Sequence, residues 1–357
     1  MNIFSLDTFS YGIIMGYYGP VWSNEVLIEY ADFCKKYGYK YFIYAPKMDK
    51  LLRDNWNIFF TESRVQELKN IRDTFEEKGV AFGIGLSPLG LNNLKDIEKV
   101  EKVLQQKITQ INNINPTILG IFFDDINKDS IVPDLGVGQV QVAEYIAQRS
   151  NAQNFASVPS YYSNDQILQR VLGPTPESYF ADFSQLDQKF SIFWTGEHIM
   201  SDGYSQKELD NISNKLGRKV LIWDNYPVND PTYLKDHLRI SGIDRPQELS
   251  SWTPSIAFNP MIQPNMSKIP LSTAQCLFSS EKYNKREIYI EKLIELCGKD
   301  LAQAIDQNLP YFELNGINRT ETSNIKRMKE LFSLFAEINE QQYTHEIIKL
   351  LGGSQEI

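Results

Sequence analysis

The chain of 357 residues is 42% hydrophobic and 23% charged, which excludes a disordered or fibrous protein and allows one large α/β domain with a small addition. Its net charge of −9, with no basic stripe interleaved with aromatics, argues against a nucleic-acid partner but leaves neutral sugars and peptides open. No stretch approaches the roughly 20 apolar residues of a membrane span, and "MNIFSLDTFS" lacks the layout of a signal peptide. No membrane partner is therefore expected, and the cytoplasm is the default location, with signal-independent secretion left open.

Short apolar runs recur along the first three quarters of the chain. In order they are "GIIMG" (12–16), "YFIYAP" (41–46), "VAFGIGLS" (80–87), "TILGIFFD" (117–124), "FASVP" (155–159), "SIFW" (191–194), "VLIW" (220–223) and "SIAFN" (255–259). Their apolarity is continuous rather than alternating, as in parallel strands buried on both faces. Helical patterns lie between them. "SNEVLIEYADFCKKYG" opens on Ser23 as N-cap and stops at Gly38. "TESRVQELKNIRDTFEEKG" runs from Thr61 or Ser63 to Gly79, and "LKDIEKVEKVLQQKITQI" and "YSQKELDNISNKLG" follow the same design. Eight near-evenly spaced β–α units predict a (β/α)8 TIM barrel, with a doubly wound open sheet as the competing arrangement. From about residue 275 only amphipathic helical patterns remain. The division expected is a barrel over 1–275, then a final barrel helix and a helical extension over 276–357, with a frayed tail "GGSQEI".

Cys34, Cys276 and Cys297 are odd in number and far apart, so buried reduced thiols are expected rather than a disulfide framework. His198, His237 and His345 are scattered likewise, and no metal site or cofactor is expected.

In TIM barrels the chemistry sits where the strands end. Here those ends read "GYYGPVWS", "APKMDKLLRDNW", Asp124-Asp125, "PSYY", "WTG", "DNYPVND" and "NPMIQPNMSK". Aromatic faces with scattered carboxylates and amides suit a sugar. Neighbouring side chains in a regular strand point to opposite faces, so Asp124 and Asp125 converge only if the backbone turns there. Two carboxylates a few ångströms apart resist joint ionisation, so one proton tends to stay on the pair, as acid-catalysed glycosidic cleavage needs. The bland alternative makes Asp125 a helix cap and Asp124 a solvated loop residue.

These stretches, with "VPSYY", "FWTG" and "IWDNYPVND", resemble family 84 of the glycoside hydrolases, the β-N-acetylglucosaminidases that include O-GlcNAcases. The resemblance spans residues 12 to about 270 in the family's order. It implies a retaining, substrate-assisted mechanism through an oxazoline. In it, Asp124 receives the N–H of the sugar's 2-acetamido group, and Asp125 serves as general acid and then general base. Because no protein nucleophile takes part, the carboxylate-spacing rules for ordinary retaining and inverting enzymes do not apply. The resemblance also implies a sugar pocket. Asp230, Asn225 and Asn259 would hydrogen-bond the sugar, Lys47 and the backbone near Gly16 would meet its hydroxyls, Tyr162 would contact the acetamido group, and Trp223 would wall its pocket. Each has a plainer reading. Trp223 could be core, Lys47 and Asp49 a surface pair, Asn259 a turn-setter before Pro260, and Tyr162 a helix start. Three positions depart from the family's pattern: Met15 and Met48 stand where acids are usual, and Tyr161 where a Glu is usual.

The leading expectation is an enzyme that hydrolyses terminal β-linked N-acetylglucosamine from a glycan or glycoprotein, including sugar on Ser or Thr of proteins. Met15 and Met48 motivate an alternative, a glycan- or glycopeptide-binding barrel with weak or no turnover. A Schiff-base enzyme working through Lys47 is a third reading. The oligomeric state is left open.

Overall fold

The computed structural model describes residues 3–279, 282–339 and 342–352. The expected frayed tail therefore lies, beyond Gly352, outside the described residues. The chain divides into two compact units: one of residues 1–16, 23–225 and 248–258, the other of residues 17–22, 226–247 and 259–357.

The first unit is the expected barrel. Strands β1 (Ser10–Met15), β2 (Tyr41–Tyr44), β3 (Ala81–Leu86), β4 (Ile118–Phe122), β5 (Asn154–Val158), β6 (Phe190–Trp194), β7 (Leu221–Asp224) and β8 (Ser255–Phe258) pair in parallel, each with the next. β8 returns to β1 and closes the ring. Between them run α1 (Asn24–Lys36), α2 (Glu62–Glu77), α3 (Leu94–Ile114), α4 (Leu135–Ala147), α5 (Gln166–Leu172), α6 (Tyr179–Phe183), α7 (Gln206–Leu216) and α8 (Leu249–Trp252). The first two starts were legible as caps, at Ser23 and Thr61. The side chains of Ser23, Thr61, Asn93 and Ser205 accept N–H bonds from Val26, Arg64, Asp96 and Glu208, each worth about 1 kcal/mol. Gly38 and Gly79 follow α1 and α2 in the left-handed region, with φ of 75° and 76°.

Layers of side chains fill the barrel. At the N-terminal end, Tyr41 Oη lies 2.7 Å from Ser255 Oγ, and Ser10 Oγ donates to Ser255 Oγ at 3.0 Å. Phe4 meets the Tyr41 ring edge-on at 5.2 Å, closing that mouth. Higher up, Phe122 occupies a space that exists because Gly85 and Gly120 have no side chain. A Cβ on either would come within 2.5 Å or less of the ring.

The second unit is helical where it is regular: α9 (Pro264–Leu271), α10 (Ala274–Ser279), α11 (Lys285–Cys297), α12 (Lys299–Gln307), α13 (Thr322–Asn339) and α14 (Gln342–Gly352). Its core gathers Leu293, Ile305, Phe312, Met328, Phe332 and Ile347. Glu346 of α14 caps α9, accepting the N–H bonds of Asn265 at 3.0 Å and Met266 at 2.8 Å. Cys34 and Cys297 are buried as expected, whereas Cys276 is only half-buried. Among the described residues no helix is long and apolar enough to cross a membrane.

Candidate active site

The Asp pair lies just beyond β4. The Phe123 N–H still bonds Val158 O at 2.9 Å, so the extended backbone outlasts the strand by one residue. Asp125 then takes a left-handed conformation, φ 53°, which Asp tolerates better than most residues. That single residue breaks the alternation that would have sent the two carboxylates to opposite faces. Lys47, beyond the end of β2, demonstrates the result. Its ammonium donates to Asp124 Oδ2 and stands 3.7 Å from Asp125 Oδ2. Both acids therefore address one charge.

Their environments differ. Asp124 is 5% exposed, and its Oδ1 is a buried acceptor with no hydrogen-bond partner among the described residues. Leaving a buried acceptor unmatched costs roughly 1–3 kcal/mol, and such atoms in native proteins call for an explanation. The Asp125 side chain is 30% exposed, so an incoming group can reach it. Its Oδ1 accepts the Tyr162 hydroxyl at 2.8 Å.

Tyr162 is held by what precedes it. Ser160 Oγ donates to Phe123 O at 2.5 Å, and Gln139 Nε2 donates to Ser160 Oγ at 2.7 Å. Tyr179 closes the set, donating to Gln139 Oε1 and accepting the Ser160 N–H, each at 2.7 Å. All three polar groups are fully buried. This network ties the exit of β5 to the residue before Asp124.

Trp223 lies in β7 with 5% exposure. Phe122 and Phe193 meet it edge-on at 5.7 and 6.0 Å, and Lys47 Nζ stands 5.8 Å from its ring. Its Nε1 donates to Asn225 Oδ1 at 3.0 Å, and Asn225 Nδ2 donates to Ile199 O at 2.8 Å. Gly16 follows β1 against the same indole; a Cβ there would fall 2.2 Å from Trp223 Cζ2. Gly16, Lys47, Asp124, Asp125, Tyr162, Trp223 and Asn225 thus form one linked cluster in the first unit.

The other two expected residues belong to the second unit. Asp230 Oδ2 accepts the Tyr18 N–H at 2.6 Å. Asn259, 3% exposed, accepts the Val228 N–H through its carbonyl at 3.0 Å.

Two plainer readings fail. Lys47 makes no surface pair with Asp49: it is buried against Asp124, while Asp49 accepts the Tyr44 hydroxyl at 2.9 Å and caps Leu51. Asp124 is not a solvated loop residue. Sequence reasoning missed Arg53, whose Nη2 donates to the carbonyls of Asp124 at 3.3 Å and Asp125 at 2.9 Å. It also missed Lys107, fully buried on α3, although a lysine between Leu104 and Ile108 on an apolar stripe is a visible anomaly.

A family model described as beta-N-acetylglucosaminidase matches residues 11–309. The protein O-GlcNAcases of Mus musculus and Rattus norvegicus are each 24% identical over 227 residues, a match that takes in 61% of this chain but 24% of theirs. The chain thus spans about a quarter of the length of the curated relatives it matches. Among solved structures, a mutant of the O-GlcNAc hydrolase of Thermobaculum terrenum superposes with a TM-score of 0.75 at 25% identity, covering 96% of this chain and 74% of that one. CpGH84B gives 0.74 at 23% identity over 94% and 60%, a likeness of fold.

Proposed function

The chain belongs to the β-N-acetylglucosaminidase family, and from that premise we propose that its barrel hydrolyses terminal β-linked N-acetylglucosamine, retaining configuration with the help of the substrate's own acetamido group. The observation that carries the mechanism is Asp124 Oδ1, a buried carboxylate oxygen with no hydrogen-bond partner among the described residues, while its twin Oδ2 accepts from Lys47. Oδ1 is suited to receive the acetamido N–H.

With the N–H so held, the acetamido oxygen attacks C1. The C1–O bond breaks towards the leaving oxygen, which takes the proton of Asp125. The Tyr162 hydroxyl and the Lys47 ammonium then face the Asp125 carboxylate so formed. In the second step that carboxylate takes a proton from water as the water oxygen bonds to C1, and the protonated oxazoline, its N–H still held by Asp124, reopens to the acetamide. Lys47 has three N–H donors and spends one on Asp124, so a sugar hydroxyl remains within its capacity. Trp223 walls the acetamido pocket, and Asn225 sets the height of its indole. The backbone near Gly16 keeps the sugar-contacting role that the family resemblance gives it. The names of the relatives extend the proposal to sugar carried on Ser or Thr of proteins.

The test is hydrolysis of an aryl β-N-acetylglucosaminide and of a peptide carrying the sugar on Ser. Asp125→Asn should lower the rate about 10²–10⁴-fold on the peptide, and less on an activated aryl group. A thiazoline mimic of the oxazoline should inhibit wild type and bind Asp124→Asn far more weakly. Saturable sugar binding with no product from wild type would replace this reading with that of a glycan-binding barrel.

A further inference from the structure

The Asp pair works only while Asp125 keeps its left-handed backbone, a conformation that is costly for a residue with a Cβ wherever the surroundings do not impose it. A buried guanidinium imposes it. Arg53, 5% exposed, sends Nη2 to both carbonyls that flank the Asp124–Asp125 turn, at 3.3 and 2.9 Å. One planar donor shared by two successive carbonyls requires them to point the same way, which an extended pair does not allow. Arg53 is itself fixed from both sides. Lys107 of α3 donates to Leu51 O at 3.1 Å and to Ile58 O at 2.5 Å, bracketing Arg53 in the loop. Ser87 N–H bonds Leu52 O at 2.8 Å, and Trp56 Nε1 donates to Leu89 O at 2.9 Å.

We propose that Arg53 is a positioning residue of the reaction. By clamping the two backbone carbonyls it holds Asp125 where its carboxylic acid meets the leaving oxygen, without touching substrate itself. The proposal rests on the glycosidase reading above, and its consequence is specific. Loss of the clamp lets the acid drift while the acetamido nucleophile stays in the substrate, so the damage falls on proton donation. Leaving groups that need protonation suffer, and those that depart unaided are spared.

The experiment measures kcat and KM of wild type, Arg53→Met and Arg53→Lys on aryl β-N-acetylglucosaminides whose phenols span a wide range of acidity. A thermal melt is run for each protein. Arg53→Met should lower kcat/KM, which reports the first step alone, about 100-fold for the least acidic phenol, as misplacement of order 1 Å does. It should lower kcat/KM only a few-fold for the most acidic one. Arg53→Lys, whose compact ammonium reaches one carbonyl at a time, should fall between the two. An equal loss across the series, or no loss, overturns the assignment, because a scaffold residue scales every substrate alike. If Arg53→Met does not fold, the slope of Arg53→Lys decides by the same criterion. If neither folds, Arg53 is a stability residue and the proposal is wrong. Failure of wild type to turn over any member would sink the glycosidase reading instead, and is distinguishable because it appears before any variant is compared.

Discussion

Gly16→Ala isolates one contact in the candidate site. The new Cβ would sit 2.2 Å from Trp223 Cζ2 and 2.5 Å from Cη2, where carbon atoms normally rest about 3.5–4.0 Å apart. The ring must therefore retreat by more than about 1 Å. It has little room: Phe122 and Phe193 abut it edge-on, and its Nε1 is tied to Asn225 at 3.0 Å. Overpacking of this kind costs about 1–3 kcal/mol of stability, and displacement of a positioning wall by 1 Å costs up to about 100-fold in rate. We expect the variant to fold, with a lowered melting temperature, an altered near-ultraviolet tryptophan signal and a kcat/KM for the aryl substrate down by about 10–100-fold. Affinity for a thiazoline inhibitor should fall in parallel, since that ligand presents the same ring. A variant with unchanged kcat/KM and unchanged inhibitor binding would refute the idea that Trp223 walls the acetamido pocket.

Tyr162→Phe removes a donor to a carboxylate, an interaction worth about 1.5–3 kcal/mol, so kcat should fall roughly 10–100-fold with the melting point little moved; an undiminished kcat would detach Tyr162 from Asp125. Lys107→Met leaves the carbonyls of Leu51 and Ile58 without their ammonium, and thermal melts should show a loss of stability of about 1–3 kcal/mol. Burial holds that ammonium down at about 8, against an ordinary 10.5, so above about pH 8 the folded chain has released a proton that the unfolded chain still binds. Stability from this group therefore rises with pH through that window, and the gap between wild type and Lys107→Met should widen from pH 8 towards pH 10; a constant gap would contradict it. Burial pushes the Cys297 thiol up to about 12 and the Cys34 thiol well up. Only Cys276 is half-exposed, so a thiol reagent should label the native protein there first, as peptide mapping would read.

Each of the eight apolar runs corresponds to a strand, because burial on both faces leaves a mark that needs no knowledge of neighbours. β1 starts two residues before its run, at Ser10, since a strand end paired with Ser255 in a polar layer carries no apolar signal. The second unit was harder to see. It draws on residues 17–22 and 226–247 as well as the C-terminal helices, and a cut made along the chain has no way to show a segment that leaves and returns. In the site, side chains at strand exits were legible by position. The need for a turn at the Asp pair was legible too, but its left-handed form was not, and the side chain-to-carbonyl bonds of Arg53 and Lys107 escaped altogether. Residue type alone does not report which carbonyl a guanidinium will find.

The three departures from the family's pattern bear on the choice between an active enzyme and a binding barrel. Met15 is fully buried at the end of β1, and Met48 is about half exposed next to Lys47. Tyr161 is 1% exposed and donates its hydroxyl to the carbonyls of Gly173 and Pro174 at 3.3 and 3.2 Å, with its ring edge-on to Tyr179 at 5.1 Å. A tyrosine there is a strut for the chain between α5 and α6. None of the three touches the carboxylates of Asp124 or Asp125 in the contacts that define the pair. Lys47 and Tyr162, which do, are in place, as is Arg53 on the two backbone carbonyls. If proton donation rests on those contacts, reintroducing acids should alter sugar affinity and leave the leaving-group dependence of kcat unchanged. Met48→Asp is the clean case, because an exposed site accepts a carboxylate without desolvation. A change in that dependence would mean that the departures had damaged the acid itself, and the binding-barrel reading would gain accordingly.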